Sequence, residues 1–140
     1  MSTTNSAGEV LSLLRTKILS ISDVTALVSE RVLTDHFYDF DQGTITMPLI
    51  ILDLQGGKAN YGMGVQRILI NIYCYSKTSS AQTLSVYDAL YKNLNGLRLW
   101  NDNLDPKGYV YESKRPDTGY NKEIRAWYSL GEFIINTATS

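Results

Sequence analysis

The stretch Val65 to Tyr75 reads VQRILINIYCY. Its alternation places Ile68, Ile70, Ile72 and Cys74 on one face and Arg67, Leu69, Asn71, Tyr73 and Tyr75 on the other, the period of two that a strand requires. It reads as the central strand of a sheet. The run before it, Met47 to Leu54, is nearly continuously apolar through Leu49, Ile50, Ile51, Leu52 and Leu54, and Pro48 is tolerated at a strand's first residues. Between the two lies Gln55 to Gly64, which holds Gly56, Gly57, Gly62 and Gly64, so the pair forms a long hairpin with a glycine-rich loop at its tip.

Outward from this hairpin, the chain has the size and composition of one globular domain. Its 140 residues are 44% hydrophobic and 19% charged, enough to bury a single core. A net charge of -1 gives no electrostatic reason to expect strong nucleic-acid binding. Cys74 is the only cysteine, which excludes an internal disulfide and leaves a cysteine-based zinc site without a second thiolate. There is no basic stretch leading a long apolar run and no window approaching a membrane span, so a soluble, intracellular protein is expected where it is made.

On the N-terminal side, residues Met1 to Thr4 are small and polar and are expected to fray. Ser6 and Glu9 have capping-box spacing, and Val10, Leu11, Leu14, Ile18 and Ile21 form a helical stripe behind them. Asp23 is placed to cap a short second helical turn carrying Val24, Leu27 and Val28. Val32 and Leu33 fit the start of a strand, and His36 to Thr46 reads as a loop. On the C-terminal side, Ser79 and Gln82 form a second capping box. Leu84, Tyr87, Leu90, Tyr91 and Leu94 give the stripe, and Gly96 stands at the left-handed C-terminal position. Trp100 to Lys107 reads as irregular. Tyr109 to Lys114 and Ile124 to Asn136 read as strands joined by turn residues Pro116, Asp117, Thr118 and Gly119.

The expected fold is α+β: a mainly antiparallel sheet of four to five strands with two amphipathic helices packed on one face, in a single domain covering 1–140 with a disordered 1–5. The uncovered face would carry Leu69, Tyr73, Tyr75 and Trp127, too apolar for a solvated surface, which points to a partner.

Motifs that could carry chemistry read as structure instead. Asp117-Thr118-Gly119 spells the aspartic-protease triplet, but that mechanism needs a second carboxylate, and a turn explains the residues. Gly56-Gly57-Lys58 is followed by Ala59 and a strand, whereas a phosphate loop must open a helix; Gly62 to Gly64 fails the dinucleotide pattern for the same reason. Asp35, His36, Asp39 and Asp41 break the calcium-loop pattern at Gly43 and Ile50. His36 is the only histidine, so histidine pairs and triads are excluded. From Lys107 to Tyr128 the closing hairpin interleaves aromatic residues with five cations and three acids, a surplus of two, which cross-strand pairing explains better than nucleic-acid stacking. No catalytic residue, metal or cofactor is expected.

The order of these patterns resembles the tail terminator (tail completion) proteins of tailed bacteriophages. The resemblance rests on the first helix leading into Asp23, Val24, Ala26, Leu27 and Val28 and then Arg31 and Val32, the proline-led strand Met47 to Leu54, the glycine-containing loop and the central strand. It continues with the helix that opens at Ser79 and ends in Leu94, Asn95 and Gly96, and with the aromatic hairpin. Where the family commonly shows a glycine before the arginine of the first strand, this chain has Glu30 preceded by Ser29. The resemblance implies a non-enzymatic virion protein: a hexameric ring that caps the tail tube, stops its polymerisation and docks the neck or connector proteins of the DNA-filled head. A head-to-tail connector is the rival within the same assembly, and a nucleic-acid module using the closing hairpin is the rival outside it. On the ring reading, Gly56, Gly57, Lys58, Asn60, Tyr61 and Met63 form an assembly arm, and Leu69, Tyr73 and Tyr75 form a contact face. Asp39 and Asp41 would face a lumen through which DNA passes without specific binding.

Overall fold

The structure, a computed structural model, describes residues 7–34, 46–60, 65–100 and 106–138, of which 7, 56–60, 65–66, 99–100, 106–108 and 137–138 are described by backbone only. Ser6, the loop containing His36, Asp39 and Asp41, and the hairpin-tip residues Tyr61 and Met63 lie outside the described residues. Helices α1 (Ala7–Leu19) and α2 (Ser22–Val28) lead into strand β1 (Val32–Leu33), followed by β2 (Leu49–Asn60), β3 (Val65–Ser76), α3 (Ser80–Leu94), β4 (Leu97–Trp100), β5 (Pro106–Asn121) and β6 (Ala126–Ala138). They build one six-stranded sheet in the order β1-β2-β3-β6-β5-β4. All pairings are antiparallel except β1 with β2, which is parallel. The expected four to five antiparallel strands thus become six in a mixed sheet: the strand expected at Val32 and Leu33 forms but pairs in parallel, and the four-residue β4, too short to show a period, is added. The sheet curls far enough for α1 to touch β1 and β2 at one edge and β4 at the other.

The central strand behaves as its alternation demands. Ile68, Ile70, Ile72 and Cys74 are fully buried beneath the helices, with Ile50 and Leu52 of β2 and Phe133 and Ile135 of β6 beside them. Each such side chain contributes roughly 1.5–3 kcal/mol by leaving water. Helix α3 sits close to β6 because the sheet presents small residues there. Ser129 donates its hydroxyl to the Thr83 carbonyl at 3.3 Å, and a Cβ at Gly131 would overlap the Tyr87 ring and hydroxyl. Tyr87 in turn donates to Glu112 Oε2 at 2.6 Å, and Arg115 pairs with Glu112 at 3.1 Å while lying 5.1 Å above the Tyr91 ring. A nearly buried carboxylate thereby keeps charged and neutral donors and ties β5 to α3.

Several local expectations are corrected. Asp23 lies inside the first turn of α2, and the N-cap is Ile21, with no side-chain cap. Ser79 does cap α3, accepting from the Gln82 amide at 3.1 Å, but Gln82 accepts from the Ser76 hydroxyl instead of reaching back to Ser79. Gly96 takes the expected left-handed conformation with φ 84. Pro116 to Gly119 is not a turn. Asp117, Thr118 and Gly119 pair with Leu130, Ser129 and Tyr128, and two register shifts between Glu112 and Asp117 absorb the proline. Gly119 is there because the Tyr128 ring lies over it, where a Cβ would collide. The chain reverses at 122–125, and Ile124 therefore sits in the turn and not in β6. Asn121 Oδ1 accepts from the Glu123 and Ile124 amides at 3.0 and 3.3 Å. The glycine-rich loop is shorter than expected too, since β2 continues to Asn60 through an irregularity at Leu54/Gly56.

The backbone at Ser29 and the buried thiol and phenol set the stability of the fold in ways that can be measured. Ser29 closes α2 at φ 56 and ψ -125, a region that disfavours a side chain, so Ser29→Gly should stabilise the protein by about 1 kcal/mol in urea unfolding. Burial raises the Cys74 thiol from 9.0 to about 12; it also raises Tyr87 above its usual 10.0, together with the hydrogen bond to Glu112 and that carboxylate's charge. Both groups stay protonated in the folded chain while the unfolded chain ionises. The contribution of these two groups to stability should therefore be constant up to about pH 9 and fall beyond it by up to roughly 1.4 kcal/mol per pH unit for each group. Tyr87→Phe should lower stability at neutral pH by about 1–3 kcal/mol, leaving Glu112 short of a donor, yet make the fall above pH 10 shallower.

Candidate assembly surface

The sheet face opposite the helices is built from the alternate residues of the same strands. Leu49 and Ile51 of β2, Tyr73 and Tyr75 of β3, and Ala126 and Tyr128 of β6 gather there, and Ile124 from the hairpin turn closes over them. Tyr73 and Tyr75 stack with centroids 5.8 Å apart, and Tyr128 stands tilted against both. Desolvation raises the hydroxyl pKa of Tyr75 and of Tyr73, and the charges of Asp53 and Tyr128 push Tyr73 further the same way. These are neutral tyrosines acting as packing and hydrogen-bonding groups.

This second cluster redistributes the expected contact residues. Tyr75 is 5% exposed, packed inside its own chain. Tyr73 and Leu69 are half-buried, and across β6 and β5 Leu69 is followed by the buried Ile134 and the half-buried Tyr111. Tyr109, 42% exposed, ends that row against Tyr111 at 5.9 Å. Trp127 does not belong to this face. It pairs with Ser76, one step beyond the Tyr75–Tyr128 pair, and so falls on the helix-facing side of the sheet, where it meets Tyr120 with centroids 4.8 Å apart. Gly56, Gly57, Lys58 and Asn60 lie in the paired part of the β2–β3 hairpin, opposite Leu69, Ile68, Arg67 and Val65. The arm is thus a strand ribbon and not a loose loop up to Asn60.

The sheet edges are guarded. Arg15 of α1 donates through Nε to the Val32 carbonyl at 2.7 Å, occupying an acceptor of edge strand β1, and Arg31 donates to the Pro48 carbonyl at 2.9 Å, where a cis Met47–Pro48 bond leads into β2. Beyond its pairing with β4, strand β5 presents Lys114, Arg115, Pro116 and Asp117 with two register shifts, features that discourage strand addition. A groove of about 440 Å³ between α1 and β1 is lined by Leu11, Arg15, Val32 and Thr34 among others. Its charged group, Arg15, is committed to the Val32 carbonyl, and among the described lining residues the hydroxyls of Ser12 and Thr34 have no carboxylate or imidazole in the lining beside them. Among the described residues no group of three His, Cys, Asp or Glu side chains converges as a metal site, and none of the described helices is long and apolar enough to cross a membrane.

No protein family's sequence profile matches the chain, and no curated protein matches it in sequence. A solved structure does match in shape. A chain from the virion of a native gene transfer agent particle superposes with a TM-score of 0.71 at 13% identity, over 94% of this chain and 96% of that one. At that identity the likeness establishes a shared fold, end to end.

Proposed function

We propose that this protein is a structural component of a phage-like virion: a tail terminator that forms a ring, a hexamer on this reading, on the end of the tail tube, stops its polymerisation and presents a docking surface to the neck. The observation that carries the reading is the near-complete mutual coverage with a chain of a gene transfer agent virion. The surfaces fit that role. The tip of the β2–β3 hairpin is the arm that reaches a partner, and the half-buried Leu69 and Tyr73 and the exposed Tyr109 leave apolar area for the tail tube or neck to cover. Asp39 and Asp41 face the lumen on this reading and keep passing DNA from adhering. The protein works without catalysis or cofactor.

A head-to-tail connector in the same particle is the second reading, because the likeness names a particle and not a place within it. Imaging the purified protein alone and mixed with tails separates the two: the terminator reading expects rings on tail ends and overgrown tails when the protein is missing. A strict monomer, with or without tail tubes, overturns both. Replacing residues 59–66 with an Asn-Gly turn should keep the Lys58–Arg67 pair and the melting temperature while abolishing tail capping. Tails of normal length with that variant would rule out the arm. Reversing the charge of Asp39 and Asp41 should leave rings intact and reduce DNA delivery.

A further inference from the structure

The ring reading requires that copies of this chain meet one another, and two described patches are complementary in charge. At the β5–β6 turn, Tyr120 and Trp127 are 45% and 37% exposed and packed against each other. Lys122 and Arg125 lie in the turn between them, and Lys77 follows Ser76, the residue paired with Trp127. Among the described residues none of these three cations has an ion-pair partner. Tryptophan, tyrosine and arginine at one exposed point are the composition of protein–protein hot spots. The second patch is on α2. Val24 and Val28 face the core, while Asp23 and Leu27, one turn apart on the outer side, and Glu30 just beyond the helix are exposed, Leu27 at 40%. Asp23 and Glu30 likewise have no ion-pair partner among the described residues.

We infer that the contact between successive copies is heterologous, with the acidic, leucine-centred surface of α2 in one copy seated on the basic, aromatic β5–β6 turn of the next. The topology sets the two patches at a common level. Strand β1 runs parallel to β2, and β6, antiparallel to β3, runs the same way. The row Val32, Ile50, Cys74, Ser129 crosses the sheet through them. The end of α2 shortly precedes Val32, and the β5–β6 turn shortly precedes Ser129, so both lie at the same end of the sheet. Strands β2 and β3 stand between them, and β1 and β6 are about 15 Å apart at the usual strand spacing. Rotation about an axis along the strands then carries the α2 side of one copy onto the turn of its neighbour at equal height, the condition for a head-to-tail contact that closes. The rival routes are poorer. The β5 edge is guarded against strand addition, and Tyr75 is already consumed by its own chain. Nucleic acid suits the turn less well, because the two rings are tilted by 59°, offering no flat stacking platform.

The test uses two charge-reversed full-length chains, one carrying Asp23→Lys with Glu30→Lys and one carrying Lys122→Glu with Arg125→Glu. All four positions are exposed, so both variants should keep the wild-type circular dichroism and melting temperature. Each alone should assemble at least about tenfold more weakly than wild type by sedimentation, alone or on tail tubes. An equimolar mixture should regain assembly, because in an alternating ring every α2 again meets a turn of opposite charge, and a single chain carrying all four changes should assemble as wild type does. Assembly of each variant at wild-type strength, or loss that neither the mixture nor the fourfold chain restores, overturns this contact and leaves the ring reading standing. Wild-type protein that stays monomeric even on tail tubes overturns the ring reading and this contact with it. Retained assembly together with duplex-DNA binding lost on Lys122→Glu with Arg125→Glu would assign the turn to nucleic acid instead.

Discussion

Strand β3 is hydrogen-bonded along its full length to β2 on one side and β6 on the other, and much of the architecture is a response to that. A strand enclosed on both edges with apolar side chains on both faces must be covered twice. The helices provide one cover, and they approach closely because β6 offers Ser129 and Gly131 at the positions that α3 crosses. A larger residue at Gly131 would displace Tyr87, and with it the Glu112 and Arg115 contacts that hold β5 in register. One absent side chain thus conditions three elements. This is why the core reads as a sequence of close approaches rather than a volume filled with leucines.

The second cover is improvised from the sheet. The β5–β6 turn carries Ile124 back over Leu49, Ile51 and Tyr75, so the end of the sheet where β2 begins is sealed by its own chain. The other end is not sealed in the same way. Leu69, Tyr111 and Tyr109 grade from half-buried to exposed along it. The asymmetry makes the second face a surface with a finished half and an unfinished half, and only the unfinished half has apolar area left to give to a partner.

The parts of the fold legible in the sequence are those decided by local periodicity or local caps: the alternation of β3, the stripe of α3, the Ser79 cap and the left-handed Gly96. The parts that were not legible are decided by residues far away in the chain. Pro116 to Gly119 has every local mark of a turn, yet pairing with β6 and the Tyr128 ring over Gly119 hold it extended. The face of Trp127 depends on its register with Ser76, and the four residues of β4 are too few to show a period, so nothing local announces either. Of the candidate contact residues, Leu69 and Tyr73 stand on the predicted face and remain partly accessible, while Tyr75 is on that face but buried. Neither patch of the heterologous contact carries a motif. A sequence cue did exist in the turn between Tyr120 and Trp127, whose cations are interleaved with aromatics, but its complement on α2 becomes visible only once Val24 and Val28 are known to face inward.

A fold shared at 13% identity over almost the whole of both chains implies that the constraints preserved are permissive ones. Alternation, a small residue beneath a helix and guarded edges can each be met by many sequences, because cores tolerate repacking when volume and pattern are kept. Partner contacts are less tolerant, since an unpaired charge or an uncovered ring is penalised at every copy of a symmetric assembly. The chain separates the two demands spatially. Its helix-side core is closed by α1, α2 and α3, whereas exposed charges and apolar side chains stand on the outer side of α2 and at the β5–β6 turn, whose Ile124 turns inward to seal the second face. Such a division lets the interior drift freely while surfaces that meet a partner change only in step with it.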